Sequence, residues 1–222
     1  GFAWWKRRIR ASMNCYDVLR IDHFLGIVQY YSIAAGAADA RDGVWRKGPG
    51  RALTDAIDEA AGPGRIIAED LGIASPETKA LLAETGYPNM KVLQFGFNGD
   101  NGNEHAPHNY VRNCVVYCGT HDNETLAGFF GSKSDQELTY AYHYFGVYTR
   151  EALMDAVCRA AYASVADIAV LQLQDLLKLP NTARMNTPGV VSPDNWSWRL
   201  LPGQIPPQTA DRLREYNWLY RR

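Results

Sequence analysis

The sequence contains no long apolar run and carries almost no net charge. No run approaches the roughly 20 apolar residues that a membrane helix needs. The 222 residues include 23 Lys and Arg against 24 Asp and Glu, a net charge of −1. This balance gives nothing to attract nucleic acid or an anionic membrane. With 46% hydrophobic residues, the composition excludes a disordered chain and predicts one large or two small folded domains.

Cysteine is also scarce. Cys15, Cys114, Cys118 and Cys158 form no C-x-x-C pair, which excludes a disulfide-dense miniprotein and makes zinc binding a weak hypothesis. We expect no metal, and we expect four buried, reduced thiols. The first residues show no signal-peptide pattern, so a cytoplasmic protein is expected. The chain also lacks an initial Met, which suggests that its front end lies elsewhere.

Five short segments rich in β-branched and apolar residues predict strands. Between them lie helical patterns with recognisable ends. Ser75 precedes a helix that Gly86 ends, and Ser134 and Glu137 form a capping box. This alternation predicts an α/β fold with parallel strands, interrupted by long connections at about 29–50 and 172–207. The predicted strands are 17–21, 65–68, 90–94, 114–118 and 166–171.

Acidic residues follow three of these strands at their carboxyl ends. Asp22 follows the first strand, Glu69 the second and Asp122 the fourth. Because ligands bind at the carboxyl ends of parallel strands, we expect the three side chains to lie at one rim. One acidic residue after a strand is more often a helix cap or a surface charge. Its repetition on three strands therefore carries the prediction.

Enzymes that cleave glycosidic bonds use two carboxyl groups that face each other across a small gap. Arg20 and Asp22 share one face of the first strand, and the cation favours the ionised carboxylate that a nucleophile needs. Glu69 follows three apolar residues, whose surroundings favour the neutral acid that a proton donor needs. Asp122 is expected to grip sugar hydroxyls and to stabilise developing positive charge. These spacings predict a glycosidase-type site.

The segments around these acids resemble signature regions of the α-amylase clan. More narrowly, they resemble the 4-α-glucanotransferases of glycoside hydrolase family 77, also called amylomaltases or disproportionating enzymes. The similarity covers nearly the whole chain. It rests on 20–24 (RIDHF), 68–72 (AEDLG), 91–95 (KVLQF), 107–110 (PHNY), 119–123 (GTHDN), 183–189 (ARMNTPG), 195–196 (NW) and 198–200 (WRL).

The resemblance implies a retaining mechanism acting on maltooligosaccharides and α-1,4-glucans without a cofactor. It implies Asp22 as nucleophile, Glu69 as general acid/base and Asp122 as transition-state stabiliser. It also implies substrate contacts by the side chains of Arg20, His23, Asp70, His121 and Asn123.

The resemblance further implies that residues 1–222 form the C-terminal part, about five of eight βα units, of a (β/α)8 TIM barrel. The N-terminal barrel strands are absent from the chain, and a closed barrel would require them. Leu25 stands where family members usually carry Arg, which alters local ion pairing more than chemistry.

Two alternatives stay open. A hydrolase of the same clan would use the same three carboxylates and pass the glycosyl group to water. A truncated piece would bind glucan without catalysis. Trp45, Phe97 and Trp196 are equally compatible with stacking on sugar rings and with packing in the core. A phosphate-binding barrel is disfavoured because no glycine-rich phosphate loop follows the last strand.

Overall fold

The computed structural model describes residues 1–72 and 75–222 and divides into two compact units. Unit 1 comprises Gly1–Met90 and unit 2 comprises Lys91–Arg222. No helix in the described ranges combines the length and apolar content that a membrane span requires.

Unit 1 is built on the parallel strands β1 and β4. They pair in the register Leu19↔Ile66, Arg20↔Ile67 and Ile21↔Ala68. Phe24 and Ile57 are fully buried in the core beneath them. The elements are α1 (Ala3–Met13), β1 (Leu19–Ile21), α2 (Leu25–Val28), β2 (Gln29–Ser32), β3 (Val44–Lys47), α3 (Arg51–Ala61), β4 (Ile66–Ala68) and α4 (Pro76–Thr85).

The predicted helix ends in unit 1 are confirmed. The Ser75 hydroxyl accepts a 3.3 Å hydrogen bond from the Thr78 N–H, which satisfies a donor in the first turn of α4. Gly86 ends α4 at φ 68°, a left-handed conformation that glycine adopts without steric cost.

The connection predicted over residues 29–50 contains a hairpin that was not predicted. Strands β2 and β3 pair antiparallel, from Gln29↔Lys47 to Ser32↔Val44. All four residues of β3 are exposed. The hairpin therefore lacks the alternation of buried and exposed residues that identifies a strand in sequence.

Unit 2 surrounds a three-stranded sheet with the order β5-β6-β7. Strands β6 and β7 pair in parallel, with Val116 opposite Ala169. The predicted capping box of Ser134 and Glu137 is present at the start of α6. The elements are β5 (Asn89–Val92), which crosses the boundary between the units, β6 (Cys114–Tyr117), α5 (Leu126–Gly131), α6 (Asp135–Phe145), α7 (Arg150–Ala163), β7 (Ile168–Val170), α8 (Leu173–Leu176) and α9 (Pro207–Tyr220), with 3-10 turns at Leu93–Phe95, Pro107–Asn109 and Asn181–Ala183.

The prediction of four buried thiols is correct for three cysteines and wrong for one. Cys114, Cys118 and Cys158 are buried, whereas Cys15 is exposed in the turn that follows α1. A hydrogen bond with Cys158, together with burial, holds the pKa of Cys118 well above its ordinary value. These buried thiols belong to the hydrophobic core of unit 2.

The prediction of an α/β fold with parallel strands is confirmed by the pairs β1–β4 and β6–β7. Within residues 1–72 and 75–222, the strands form sheets of two, two and three strands, and none closes into a barrel. The acidic residues identified in the sequence follow β1, β4 and β6.

Candidate active site

Strands β1 and β4 place Asp22 and Glu69 at neighbouring strand ends. Ile21 and Ala68 are the last paired residues of the two strands. Asp22 and Glu69 are therefore the first residues after β1 and β4. The Glu69 N–H donates to the Ile21 carbonyl at 2.9 Å, and the Phe24 N–H donates to the Glu69 carbonyl at 2.8 Å. These backbone bonds hold the two carboxylate-bearing segments together beyond the strands.

The Arg20 guanidinium links the two carboxylates. Its Nη1 lies 2.8 Å from Asp22 Oδ1, and its Nη2 lies 4.0 Å from Glu69 Oε2. Its Nε donates to the Met90 sulfur at 3.1 Å, which fixes the third edge of the guanidinium. The prediction that Arg20 and Asp22 share one face of the strand is therefore confirmed.

The two carboxylates have different surroundings. The Asp22 side chain is 76% exposed, whereas that of Glu69 is only 10% exposed. Glu69 Oε2 accepts a 2.6 Å hydrogen bond from the His23 N–H, and Oε1 accepts one of 2.8 Å from the Leu71 N–H. Beyond the three apolar residues that precede Glu69, the structure adds a backbone N–H donor at each of its carboxylate oxygens.

His23 and Asp70 act here through contacts within the chain. His23 has φ 49°, a left-handed turn at the residue whose N–H reaches Glu69. Asp70 is 9% exposed, and its carboxylate accepts hydrogen bonds from the Met90 N–H at 2.9 Å and from Asn89 Nδ2 at 3.2 Å. The structure therefore shows Asp70 joining the end of β4 to the chain at 89–90.

In unit 2, Asp122 lies in a tight turn between β6 and α5. Asn123 Oδ1 accepts 2.8 Å hydrogen bonds from both the N–H and the hydroxyl of Thr120. Asp122 Oδ2 lies 3.4 Å from His121 Nε2, and Oδ1 accepts a 2.6 Å hydrogen bond from Asn186 Nδ2. The Asp122 carboxylate is thus held between an imidazole and an amide.

Arg184 secures the same turn through the backbone. Its Nη2 donates to the Asp122 carbonyl at 2.6 Å, and its Nε donates to the Asn186 carbonyl at 2.8 Å. The segment 183–189 is distinctive in the sequence, but its residue types assign no role to Arg184 or Asn186. Only the unusual specificity of that motif signalled a contribution.

An aromatic platform lies beside Asp122. The rings of His121 and Trp196 contact each other in a tilted arrangement, with centroids 5.2 Å apart and an interplanar angle of 35°, and Trp196 is 53% exposed. Of the other aromatic candidates, Trp45 is exposed on the hairpin and Phe97 packs against the core of unit 2. Trp196 and Trp45 therefore offer open ring surface, whereas Phe97 follows the core-packing alternative.

The structure thus brings the predicted residues together in two groups. Arg20, Asp22, His23, Glu69 and Asp70 meet in unit 1, and His121, Asp122 and Asn123 meet in unit 2. That the two groups share one groove stays a prediction.

Comparisons with known proteins all lead to one family. A profile of the family described as 4-alpha-glucanotransferase, glycoside hydrolase 77, matches residues 1–204. The 4-alpha-glucanotransferase of Clostridium butyricum is 42% identical over 225 residues, covering 100% of this chain and 46% of the relative. That of Thermus thermophilus is 41% identical, covering 96% of this chain and 44% of the relative.

A solved structure gives the same result. The amylomaltase from Streptococcus agalactiae in complex with acarbose superposes with a TM-score of 0.92 at 39% identity. The superposition covers 100% of this chain and 45% of the amylomaltase chain. The chain therefore spans less than half the length of the relatives it matches.

Proposed function

The chain belongs to the glycoside hydrolase 77 family of 4-alpha-glucanotransferases, and we propose that the whole protein transfers α-1,4-glucan segments between maltooligosaccharides. The observation that carries the proposal is the Arg20 guanidinium, which lies 2.8 Å from Asp22 and 4.0 Å from Glu69 at adjacent strand ends. A retaining double displacement uses two carboxyl groups a short distance apart, and a cation shared by both side chains supports that arrangement.

Asp22 is the proposed nucleophile. It attacks the anomeric carbon of the donor, forms a covalent glycosyl-enzyme, and is released when the acceptor sugar attacks in turn. Its exposed side chain gives the donor access, and Arg20 Nη1 lies 2.8 Å from Asp22 Oδ1.

Glu69 is the proposed general acid and base. It protonates the leaving glycosidic oxygen in the first step, and it takes the proton from the acceptor hydroxyl in the second. Its side chain is 10% exposed, and hydrogen bonds from His23 and Leu71 hold it in one orientation. A fixed carboxyl group supports proton transfer in both directions along the same path.

Asp122 is the proposed stabiliser of the positive charge that develops on the sugar ring. Asn186 and His121 hold its carboxylate from two sides, which supports electrostatic stabilisation by a preorganised group. We further propose that Arg20, His23, Asp70, His121 and Asn123 contribute substrate contacts, with Asp70 acting from a largely buried position. The acarbose complex of the Streptococcus agalactiae relative supports a saccharide ligand.

For the fold, we propose that β1, β4, β5, β6 and β7 are five of the eight strands of a (β/α)8 barrel of the α-amylase clan. The parallel pairs β1–β4 and β6–β7 support this arrangement, with α3 before β4, α4 before β5 and α5 to α7 between β6 and β7. Strands β5 and β6 are joined by a connection with two 3-10 turns. Such a barrel needs strands supplied by the remainder of the full-length protein.

The experiment is to incubate the full-length enzyme with maltotriose. Transfer predicts glucose and longer maltooligosaccharides at a nearly constant number of reducing ends, because each transfer breaks one bond and forms another. A steady rise in reducing ends would instead identify a hydrolase of the same clan. Absence of both products would contradict the proposed function.

A further inference from the structure

Three side chains from other parts of unit 2 hold the segment that carries Asp122. This segment, residues 118–125, connects the end of β6 to the start of α5. Gln94, which is 6% exposed and follows β5, donates from Nε2 to the Glu124 carbonyl at 2.7 Å. The segment is therefore anchored on the side of the sheet two residues after Asp122.

Asn181 holds Thr125, the residue after Glu124, by a hydrogen bond. Its Oδ1 accepts from the Thr125 N–H at 3.2 Å, and its Nδ2 donates to the Glu124 carboxylate at 2.5 Å. The fit is close, since a Cβ added at Gly128 would lie only 1.9 Å from Asn181 Oδ1. Gly128 is thus the residue that leaves room for the Asn181 amide.

Asp175 holds the first residue of α5. Its Oδ1 accepts a 2.7 Å hydrogen bond from the Leu126 N–H. Asp175 is 2% exposed, and its Oδ2 is buried without a hydrogen-bond partner in the part of the chain that the structure describes. Burial raises the pKa of Asp175 to about 7, against the lowering effect of the Leu126 N–H. A buried carboxyl group with one unpaired oxygen lowers the stability of the fold. Stability alone therefore does not explain an Asp at this position.

We infer that Asp175 and Asn181 are positioning residues that fix the direction of the Asp122 carboxylate by holding the backbone at Thr125 and Leu126. The inference rests on the proposed function, in which Asp122 acts at the sugar ring. Strand β6 fixes the segment before Asp122, and the two side chains fix it three and four residues later. Small displacements of a catalytic group are expensive, on the order of 100-fold in rate for about 1 Å.

The experiment measures kcat and KM for maltotriose disproportionation in the full-length enzyme. Asp175→Ala removes the acceptor, and we expect kcat to fall roughly 10- to 100-fold with KM changed less than about threefold. Asp175→Asn keeps a carbonyl oxygen for the Leu126 N–H, so we expect kcat within about threefold of the wild type. This rescue separates positioning from a need for negative charge at Asp175.

Gly128→Ala provides a second route that leaves both positioning residues in the sequence. Alanine has a higher intrinsic helix propensity than glycine, and the new methyl group occupies the space of the Asn181 amide and expels it. We expect Gly128→Ala to lower kcat as Asn181→Ala does, and to have little further effect when Asn181 is already Ala. If Asp175→Ala fails to fold, the kcat of Gly128→Ala still tests the inference.

Asp122→Asn in the same assay distinguishes the possible failures. Wild-type activity of Asp122→Asn would overturn the proposed role of Asp122, on which the inference rests. Absence of transfer products with the wild-type enzyme would overturn the proposed function itself. Loss of activity in Asp122→Asn, with wild-type kcat in both Asp175→Ala and Gly128→Ala, would overturn only the inference. Equal losses of kcat in Asp175→Ala and Asp175→Asn would also overturn it. The side-chain carbonyl oxygen that Asn shares with Asp, and that Ala lacks, would then make no difference.

Discussion

The side-chain amide of Asn186 donates a 2.6 Å hydrogen bond to the carboxylate of Asp122, a residue 64 positions earlier in the chain. The bond brings the long connection after β7 onto the turn after β6. Arg184 reinforces it by donating to the Asp122 carbonyl at 2.6 Å. A connection without long regular elements thus supplies two of the contacts that hold a proposed catalytic group.

Replacing Asn186 tests this contact in the full-length enzyme. Asn186→Ala removes a donor to a charged group, a loss of about 1.5–3 kcal/mol, so kcat should fall by roughly 10-fold or more. Asn186→Asp should be worse, because a second carboxylate would repel Asp122. Steady-state kinetics on maltotriose measures both, with Asn217→Ala on an exposed face of α9 as the matched control. Equal activity of Asn186→Asp and wild type would contradict the assigned contact.

Arg20 should not be replaceable by lysine. Its planar guanidinium reaches Asp22 with one nitrogen and Glu69 with another, whereas a single ammonium cannot hold both positions. We expect Arg20→Lys to lower kcat/KM by roughly 10-fold and Arg20→Ala by more. The control is Arg214→Ala, which breaks an exposed ion pair with Asp211 on α9 and should leave activity unchanged. Full activity in Arg20→Lys would show that simple charge suffices.

An activated donor, whose leaving group departs without protonation, separates the proposed roles of Asp22 and Glu69. Asp22→Asn should form no covalent intermediate with any donor, because an amide is a poor nucleophile. Glu69→Gln should lose activity on maltotriose but retain glycosyl-enzyme formation from the activated donor. Mass spectrometry of the trapped intermediate measures this difference. Equal loss on both donors in Glu69→Gln would argue against the acid role.

The buried Asp175 predicts a pH-dependent stability. Its pKa is raised by burial from 3.8 to about 7, so between these values the folded protein keeps a proton that the unfolded chain has lost. Its contribution to stability is therefore full below pH 4 and is lost as the pH rises to 7. The loss is at most on the order of 4 kcal/mol. Among neighbouring titratable groups, Cys118 feels the Asp175 charge.

Asp175→Asn does not titrate in this range, so it isolates the effect. The Tm of Asp175→Asn minus the Tm of wild type should increase from pH 4 to pH 7 and then level off. Thermal unfolding across pH 4–8 in matched buffers provides the measurement. Parallel curves for the two proteins would show that the Asp175 carboxyl group does not titrate as its burial predicts.

Residues 1–222 expressed alone should be inactive and prone to association. Ile168 and Val170 on the edge strand β7 are each 39% exposed, and Val18 before β1 is 42% exposed. Apolar edge strands with unpaired backbone groups template pairing with other chains. Size-exclusion chromatography and a maltotriose assay, run beside the full-length enzyme, test this. A monodisperse monomer with activity near that of the full-length enzyme would refute the prediction.

Local signals predicted most of the regular structure. The five predicted strands each coincide with an observed one, although the strand predicted over 90–94 gives way to a 3-10 turn at Leu93. The Ser75 cap and the Ser134 capping box lie where predicted, because capping depends on residues within one turn. The β2–β3 hairpin was missed because its exposed second strand shows no burial period.

What the sequence by itself determined is the set of chemically competent groups and their places at strand ends. Strand length and side-chain alternation fixed Arg20 beside Asp22 and put Glu69 directly after β4. Only the tertiary structure decided the partners of these groups: backbone donors around Glu69, Asn186 against Asp122, and Asp175 beneath α5. Apart from the Leu71 N–H, which lies two positions from Glu69, these contacts join residues separated by tens of positions, and they depend on how elements pack. Local patterns extend over only a few residues, so they cannot specify them.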